Sequence, residues 1–415
     1  MKRLYEEQAS HWFLVNDAKY EHFMRWLNKA HFPPTKLTLA TFKNTGRGMM
    51  ATEPIEAGEV IVRVPTSFLI SSDLLVKTYG QAAHTLSTQP LLALHLVLLM
   101  QDPETTWKPY LDLLPTHFNT LPVTFPPALF DQLPQPLASE VDAQRKKIRA
   151  DYSAVLQFLK TIQNPASVSF ESYQWAWLCV NTRCIHVSDK KGGNMAMAPL
   201  LDFLNHTSEA KITSGFNPQT QSFEIKTLTP YRKGEQVFIN YGPHDNQAIF
   251  REYGFVLPEN EYNFVSLDHH VWALLKETER SERAVKIKRQ ILEHAGDYTI
   301  KKQDISFRLL CALRLIALKG TDQSYSQGQW HDVIMGLADQ IDDSNERTVY
   351  HMLRTLCTRA YTLAEEKRQA LNTLEDATIH HHPFALYFLR QIWRETCDIL
   401  KDTLVDVEKQ LSTLG

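Results

Sequence analysis

The spacing of hydrophobic and polar residues changes several times along the chain, and each change predicts a different element. Residues 20–32 have the spacing of a short amphipathic helix, which the following Pro33-Pro34 ends. From 37 to 70 the hydrophobic residues alternate with others, as they do in strands, and a turn at Glu56-Ala57-Gly58 precedes the clearest run, Val60 to Val64. The first part of the chain therefore predicts one helix followed by short strands.

Helical spacing returns between residues 85 and 180. The run from Leu91 to Met100 contains a single polar residue, which predicts a buried helix. A second helix is predicted by five residues that fall on one face: Ile148, Tyr152, Val155, Leu156 and Leu159. Phe170 to Val180 predicts a third helix, and proline clusters between 115 and 136 separate the pieces.

Strands and turns return between residues 196 and 256. Alternation predicts one strand around Phe223 and Ile225 and another around Val237 and Ile239. The turns are expected at Asn217-Pro218 and Lys233-Gly234.

Beyond about residue 266 the spacing is helical to the end of the chain. Two stripes at helical spacing predict two helices: Val349, Met352, Leu353, Leu356 and Ala360, then Leu389, Ile392, Trp393, Thr396 and Leu400. A further helix, from about Ile305 to Leu318, is expected to end at Lys319-Gly320. We therefore predict an α+β fold, in which a mixed domain of short strands with a helical insertion precedes a separate all-helical domain.

Composition excludes several classes of protein. The 415 residues include 44 basic and 47 acidic side chains, with 43% hydrophobic and 22% charged residues. These values are typical of globular proteins and exclude wholesale disorder, collagen-like repeats and a globally basic nucleic-acid binder. The start of the chain lacks the apolar core of a secretory signal, and the longest apolar run is about half of the roughly 20 residues that span a bilayer.

The five cysteines are few, odd in number and scattered: Cys179, Cys184, Cys311, Cys357 and Cys397. They have neither the spacing of a zinc ribbon nor that of a disulfide framework. A reducing compartment, the cytoplasm or the nucleus, accounts for them most simply.

Two short motifs suggest chemistry that their surroundings do not support. Gly46 to Ala51 matches the dinucleotide fingerprint GxGxxG/A, but Pro54 and Gly58 stand where the required helix would run, so a turn between strands is expected. His380-His381-His382 could bind a metal, but consecutive histidines do not share a helix face, so a solvated loop is expected. No GxSxG elbow or P-loop occurs, and we expect no metal site.

Four segments carry a more specific signal together than any of them does alone. They are NTGRGMMAT (44–52), VNTRC (180–184), APLLDFLNH (198–206) and FINYGPHDNQ (238–247), and REYGF (251–255) follows the last. Their order and residue content resemble those of the SET-domain protein methyltransferases, in particular the subgroup with a helical C-terminal domain of the Rubisco large-subunit methyltransferase type. The resemblance implies an N-terminal helical segment (1–36), a SET domain (37–265) with a helical insertion at about 85–195, and a helical substrate-binding domain (266–415).

The resemblance also implies a fold detail and a cofactor. The segment with Asn205-His206 should cross the segment with Tyr241 in a pseudoknot-like arrangement, with S-adenosylmethionine bound beside the crossing. The implied cofactor-binding residues are Thr45, Gly46, Arg47, Arg183, Asp202, Asn205, His206, Tyr253, Gly254 and Phe255. Arg183 should meet the carboxylate of the cofactor, and Tyr253, Gly254 and Phe255 should close over its adenine.

The residue types agree with these implied roles. Gly46 and Gly48 allow the backbone to approach a ligand closely, and an arginine such as Arg183 suits a carboxylate. Asparagine offers both a donor and an acceptor, and an aromatic ring can cover an adenine. Tyr241 is the candidate catalytic residue, because its hydroxyl can orient an amine or face the transferred methyl group. Taken singly, Asn205 could instead be a turn residue and Phe255 a core residue.

The leading hypothesis is an S-adenosylmethionine-dependent protein-lysine N-methyltransferase. A protein-histidine methyltransferase, a catalytically silent SET-fold interaction module and an NAD-dependent oxidoreductase are the alternatives. The expected partner is a protein substrate, histone or non-histone, with no direct contact to nucleic acid or membrane, and we expect a monomer. Because no cysteine triplet follows REYGF, the helical C-terminal domain is expected to close the substrate channel that zinc-bound cysteines close in many histone-directed relatives.

Overall fold

The computed structural model describes residues 12–14, 17–188, 194–293, 296–318, 328–374 and 383–414. The chain forms two compact units, each built from two stretches of sequence. The first unit comprises Met1–Phe118 and Val141–Pro243, and the second comprises Asn119–Glu140 and His244–Gly415.

Short strands form four small sheets. The strands are β1 (Trp12–Leu14), β2 (Leu37–Phe42), β3 (Gly46–Ala51), β4 (Val60–Pro65), β5 (Ile70–Ser71), β6 (Cys184–Ser188), β7 (Asn194–Met197), β8 (Asn205–His206), β9 (Ile212–Asn217), β10 (Ser222–Thr227), β11 (Gln236–Ile239), β12 (Phe264–Ser266), β13 (Thr299–Lys301) and β14 (Asp304–Ile305). In the first unit the strand orders are β1-β2-β3-β11-β8, β4-β10-β9 and β5-β7-β6. The second unit holds the sheet β12-β13-β14.

The described helices account for most of the remaining chain. They are α1 (Ala18–Lys29), α2 (Ser72–Tyr79), α3 (Thr88–Gln101), α4 (Lys108–Leu111), α5 (Pro127–Phe130), α6 (Gln135–Thr161), α7 (Phe170–Arg183), α8 (Asn246–Tyr253), α9 (Asp268–Thr278), α10 (Glu282–Glu293), α11 (Phe307–Ala317), α12 (Gln329–Ile334), α13 (Asp343–Thr373) and α14 (Pro383–Leu414). The predicted α+β class is confirmed, because short strands and helices share the first unit and helices dominate the second.

In the first unit, helix α1 begins where the sequence provides a cap, and α3 buries the residues that the spacing predicted. The Asp17 carboxylate accepts the backbone N–H of Lys19 at 2.8 Å, which satisfies one free donor at the start of α1. Every residue of α3 from Pro90 to Val97 is buried, which confirms the prediction of a buried helix there. The Tyr20 hydroxyl of α1 accepts the Leu39 N–H of β2 at 2.8 Å and so joins this helix to the sheet.

The second unit is built around its two longest helices. The predicted stripes are confirmed: Val349, Leu353 and Leu356 of α13 are fully buried, and so are Leu389 and Leu400 of α14. Side chains of both helices contribute to one hydrophobic core. The stripes lie on faces that exclude water, so burial of this apolar surface stabilises the helices more than their intrinsic propensity does.

The prediction of helix from 266 to the end of the chain needs one correction. Strands β13 and β14 form a hairpin at residues 299–305, and β12 pairs with β13. These strands have only two or three residues, which is too short for an alternating pattern to be recognised in the sequence. The predicted helix end at Lys319-Gly320 lies outside the described residues.

The two doubtful motifs have different outcomes. Gly46–Ala51 forms strand β3, and no helix follows it, so the dinucleotide fingerprint lacks the helix that would hold a pyrophosphate. His380-His381-His382 lies outside the described residues. None of the helices in the described ranges is both long and apolar enough to cross a membrane.

Candidate active site

Strands β8 and β11 bring the two most informative sequence segments side by side. They pair in parallel, with Asn205 opposite Phe238 and His206 opposite Ile239. The chain reaches Tyr241 two residues after β11 ends. The segments with Asn205-His206 and Tyr241 are therefore neighbours, as the resemblance implied.

Tyr241 is held by the strand that it adjoins. Its backbone N–H donates to His206 Nδ1 at 3.0 Å, and its hydroxyl donates to the Leu204 carbonyl at 2.7 Å. The Tyr241 and His206 rings stack with centroids 5.0 Å apart and an angle of 23° between their planes. These contacts fix the position of the tyrosine ring and the direction of its hydroxyl.

Asn240 adds a second set of contacts to the crossing that the sequence did not single out. Its side-chain Nδ2 donates to the Ser208 carbonyl at 3.1 Å, and its Oδ1 accepts the Gly242 N–H at 2.8 Å. The asparagine thus ties both sides of Tyr241 to the β8 segment. The sequence offered one signal for it, since asparagine side chains commonly hydrogen-bond the backbone two residues further on.

The glycine-rich segment joins the same sheet from the other side of β11. Strand β3 pairs with β11, with Met50 opposite Gln236. The Thr45 hydroxyl donates to Gln236 Oε1 at 2.8 Å, and Asn205 Nδ2 donates to the Arg47 carbonyl at 2.9 Å. Thr45, Arg47 and Asn205, which the resemblance grouped, are thus brought together within the first unit.

The two glycines of this segment differ in what they require. Gly46 has a φ of +67°, in the left-handed region that favours glycine, and no heavy atom lies within 4 Å of the position of a Cβ. At Gly48 a Cβ would lie 2.4 Å from Gln236 Nε2 and 2.8 Å from Asn205 Nδ2. Gly46 is therefore needed for its backbone conformation, and Gly48 for the close approach of two amide side chains.

Asp202, in the turn before β8, forms a buried ion pair with Arg183, the last residue of α7. Arg183 Nη1 lies 3.1 Å from Asp202 Oδ2 and also donates to the Asp202 carbonyl at 3.0 Å. The Tyr110 hydroxyl donates to Asp202 Oδ2 at 2.8 Å. Arg183 is thus already paired within the protein, and its expected contact with the cofactor carboxylate stays a prediction.

Burial and charge act against each other at this pair. Burial raises the pKa of the fully buried Asp202 carboxyl. The Arg183 charge and the hydrogen bonds that Asp202 accepts oppose this rise. Desolvation and the positive charge of Arg183 lower the pKa of the Arg47 guanidinium, so the two cations are near enough to interact. Since Asp202 pairs with Arg183, the unbalanced positive charge of this group is that of Arg47.

Three buried polar atoms in this region have no hydrogen-bond partner in the part of the chain that the structure describes. They are Arg183 Nε, Asp202 Oδ1 and Gln236 Nε2. Buried polar atoms in folded proteins are nearly always paired, so such atoms need a physical explanation. A polar ligand that adjusts the surrounding side chains when it binds would provide one.

Tyr253, Gly254 and Phe255 belong to the second unit, where they end helix α8. Gly254 has a φ of +77°, and a Cβ there would lie 2.7 Å from Thr120 Oγ1. The Tyr253 and Phe255 rings have centroids 6.2 Å apart. Gly254 thus ends the helix in the left-handed conformation that glycine favours, and the expected role of the three residues over an adenine stays a prediction.

Metal and thiol chemistry find little support in the described ranges. No group of three or more histidine, cysteine, aspartate or glutamate side chains there could hold a metal ion. The five cysteines are unpaired, and burial raises the pKa of the thiols of Cys179 and Cys184. Raised thiol pKa values suit packing rather than nucleophilic catalysis.

Comparison with known proteins yields two family matches and several full-length relatives. The SET domain family matches residues 46–242, and the Rubisco LSMT substrate-binding family matches residues 279–386. SET domain-containing protein 4 of Homo sapiens is 30% identical, over 93% of this chain and 91% of that protein. Ribosomal lysine N-methyltransferase set11 of Schizosaccharomyces pombe is 26% identical, over 92% and 96%.

Other matches include a histidine-directed enzyme and a solved structure. Actin-histidine N-methyltransferase of Homo sapiens is 26% identical, over 73% of this chain and 54% of that protein. A structure of Rubisco LSMT bound to sinefungin and monomethyllysine has a TM-score of 0.72 at 20% identity and covers 96% of this chain and 93% of that one. At that identity the likeness concerns the fold. The relative that is 30% identical over nearly its whole length shows the family: the chain belongs to the SET-domain methyltransferases that carry a Rubisco LSMT substrate-binding domain.

Proposed function

We propose that this protein transfers a methyl group from S-adenosylmethionine to a lysine side chain of a protein substrate. The observation that carries the proposal is the hydrogen bond from the Tyr241 hydroxyl to the Leu204 carbonyl, at the parallel pairing of β8 with β11. It fixes a phenolic oxygen and a backbone carbonyl next to Asn205 and the glycine-rich segment. The relative described as a ribosomal lysine N-methyltransferase supports the choice of methyl acceptor.

The residues around this crossing fit the proposed cofactor. The cofactor supplies a methyl group attached to a sulfonium, together with an amino-acid carboxylate and an adenosine. Arg47 provides positive charge for a carboxylate, since the Arg183 charge is paired with Asp202, and Asn205 provides an amide for polar groups. Gly46, at the start of β3, leaves open space beside the backbone, whereas Gly48 makes room for the Gln236 and Asn205 amides. The unpartnered atoms at Arg183 and Asp202 add hydrogen-bonding capacity.

The geometry at Tyr241 assigns a role to its oxygen. Because the hydroxyl proton is donated to the Leu204 carbonyl, the oxygen acts toward a substrate as an acceptor. It can accept an N–H of the amine or a weak C–H contact from the transferred methyl group. This makes Tyr241 an orienting group rather than a base, since a phenol has an ordinary pKa near 10 and its proton is already engaged.

The reaction depends mainly on how the site aligns the nitrogen with the methyl group and the sulfur. The nitrogen lone pair forms the new C–N bond while the C–S bond breaks, and the electron pair of the C–S bond stays on sulfur. A lysine amine has an ordinary pKa of about 10.4, so deprotonation near pH 7.4 costs about 4 kcal/mol. A dry site close to a cation lowers that cost by desolvation and charge repulsion, and holding nitrogen, methyl and sulfur in line lowers the barrier further.

We assign recognition of the protein substrate to the region that matches the Rubisco LSMT substrate-binding family, residues 279–386. A histidine acceptor is the second candidate, since one relative is described as an actin-histidine N-methyltransferase. We propose the cytoplasm or nucleus as the compartment, in keeping with five unpaired cysteines.

Two measurements test the proposal. Calorimetry with S-adenosylmethionine and S-adenosylhomocysteine should show binding to the full chain, and no binding at millimolar cofactor would favour a silent interaction module. The protein and labelled cofactor are then added to fractionated cell extract, and mass spectrometry locates the methyl group. Methyl-lysine supports the proposal, whereas methyl-histidine alone replaces lysine with histidine as the acceptor.

A further inference from the structure

Gln236 is a buried amide in the middle of the candidate site that neither the sequence pattern nor the resemblance pointed to. It begins strand β11, which lies between β3 and β8 in the sheet. Only 6% of its surface is exposed. A buried primary amide needs hydrogen-bond partners for both of its ends, so its surroundings decide what it does.

The two ends of this amide face two parts of the proposed cofactor site. Gln236 Oε1 accepts the Thr45 hydroxyl at 2.8 Å, although 191 residues separate them in sequence. Gln236 Nε2 has no partner among the described residues and lies against Gly48, where a Cβ would be 2.4 Å away. Asn205 Nδ2, from strand β8, also lies against Gly48, at 2.8 Å from the position that a Cβ of residue 48 would take.

The contact with Thr45 does not depend on which end of the amide faces it. A hydroxyl can both donate and accept, so either orientation of the amide bonds Thr45. In either orientation the other end is pressed against Gly48 and stands next to the Asn205 amide. Gln236 thus contacts the glycine-rich segment at two points while Asn205 holds the same segment through the Arg47 carbonyl, at 2.9 Å.

We propose that Gln236 is a positioning residue for the cofactor. It holds the loop of Thr45 to Gly48 in the conformation that binds S-adenosylmethionine and sets the place of the Asn205 amide beside it. It acts through these residues, because its side chain is almost wholly buried and its Nε2 is shielded from solvent. The inference rests on the proposed function, since it assigns Gln236 to the binding of that cofactor.

A polar side chain suits this position because an apolar one would fill the space without fixing the loop. Leucine or methionine could pack against Gly48, but the Thr45 hydroxyl would lose its partner within the protein. Thr45 is exposed, so water would replace that partner, and the loop would sample more conformations. The cost would therefore fall on ligand binding, which needs an ordered loop, more than on folding.

The experiment compares Gln236→Met with Gln219→Met, which makes the same change at an exposed position of the β9–β10 turn. Calorimetry with S-adenosylhomocysteine and steady-state kinetics with S-adenosylmethionine are measured on the full chain. For Gln236→Met we expect both the dissociation constant and KM to rise about tenfold, with kcat at saturating cofactor changed by less than about twofold. Gln219→Met should match the wild type in all three quantities.

Two further variants separate positioning from general stability. Thr45→Val removes the hydroxyl on the exposed side of the contact and should also raise KM. The double variant Gln236→Met with Thr45→Val should raise KM little more than Gln236→Met alone, because both substitutions break the same contact. Gln236→Glu keeps an acceptor for Thr45 and should recover part of the affinity. Melting temperatures report folding separately.

The outcomes distinguish this inference from the proposed function. If the wild type does not bind the cofactor, the proposed function fails. If the wild type binds it, and Gln236→Met and Thr45→Val bind it equally well, the positioning role is overturned while the proposed function stands. A loss of kcat without a rise in KM would also overturn it, because it would place Gln236 in the chemical step.

Discussion

The two compact units are stabilised by different kinds of contact. In the first unit the residues of the candidate site come from short strands and turns, and single hydrogen bonds join positions up to 191 residues apart. In the second unit long helices pack along a continuous apolar face. Its buried charges are paired in place, as Arg314 of α11 and Glu346 of α13 show with two contacts of 2.9 and 2.8 Å.

This difference indicates where a substitution should change stability and where it should change activity. A long helix pair distributes its free energy over many apolar contacts, so a single defect there lowers the stability of the whole unit. At the strand crossing, a few polar contacts fix the direction of a few groups. A defect there should change binding or rate more than folding, since position within a fraction of an ångström decides both.

The largest effect is expected from breaking a buried ion pair of the second unit, that of Arg314 with Glu346. In Arg314→Met the Glu346 carboxylate, 7% exposed, would stay buried without its cation. We expect unfolding by denaturant to show a loss of about 3–5 kcal/mol, with cofactor affinity unchanged in the protein that remains folded.

Two controls sharpen this prediction. Arg359→Met removes an ion pair with Glu277 whose side chains are 45% and 51% exposed, and it should cost less than about 1 kcal/mol. The double change Arg314→Met and Glu346→Leu should recover much of the loss, because it removes both buried charges. Equal costs for the buried and the exposed pair would contradict the picture of the second unit.

The next effect is expected at Gly48, in the first unit. Gly48→Ala places a methyl group 2.4 Å from Gln236 Nε2 and 2.8 Å from Asn205 Nδ2, so both amides must move. Overpacking of this kind costs about 1–3 kcal/mol, and we expect most of it to appear as weaker binding of S-adenosylhomocysteine in calorimetry. Gly215→Ala in β9, where a Cβ meets open space, is the matched control and should bind normally.

His95 in the first unit should make the free energy of unfolding depend on pH, by about 2 kcal/mol between pH 7 and pH 5. Burial lowers the pKa of His95 to about 4, and the side chain pairs with the Tyr79 hydroxyl at 2.9 Å. The unfolded chain, with a histidine pKa near 6.5, binds this proton first as pH falls, so stability is complete above about pH 6.5 and is lost progressively toward pH 4. At pH 5 the loss should reach about 2 kcal/mol.

A matched pair of variants isolates this effect and extends the comparison to the second unit. The free energy of unfolding by denaturant is measured at pH 7 and pH 5 for the wild type and for His95→Gln. The wild type should lose about 2 kcal/mol more than the variant between the two pH values, because only the wild type carries the buried histidine. In the second unit burial raises the pKa of Glu395, so that carboxyl contributes in the opposite direction and its share of stability is lost as pH rises through the raised value. Glu395→Gln should therefore remove a dependence of opposite sign.

The smallest free-energy change, with the most specific result, is expected for Tyr241→Phe. The variant keeps the ring stacked on His206 and removes the hydroxyl that donates to Leu204. We expect methyl transfer to fall at least about tenfold, or about 1.4 kcal/mol, while cofactor affinity is unchanged. Tyr152→Phe removes a comparable hydroxyl bond of 2.8 Å to the Val168 carbonyl and should leave the rate unchanged. A wild-type rate in Tyr241→Phe would refute the assignment.

Local patterns in the sequence predicted the longer helices, whereas α8 lies in a region that was predicted as strand and turn. Hydrophobic spacing is a property of neighbouring residues, so it located α3, α13 and α14 and the apolar faces that they bury. The same spacing missed the hairpin at residues 299–305, because strands of two or three residues do not repeat often enough to form a pattern.

The motifs, by contrast, indicated the family and a set of candidate residues but not their contacts. The resemblance grouped Thr45, Arg47 and Asn205, which the structure brings together. It did not indicate that Arg183 pairs with Asp202, or that Gln236 and Asn240 hold the loop and the crossing.

The sequence by itself thus determined the class of fold, the family and the residues worth testing, because amphipathic spacing and motif order are written along the chain. The tertiary structure decided which side chains meet. The contact between Thr45 and Gln236 depends on the pairing of β3 with β11, and that of Tyr241 with Leu204 on the parallel pairing of β8 with β11. Such contacts join residues far apart in sequence, where a local pattern carries no information about distance or direction.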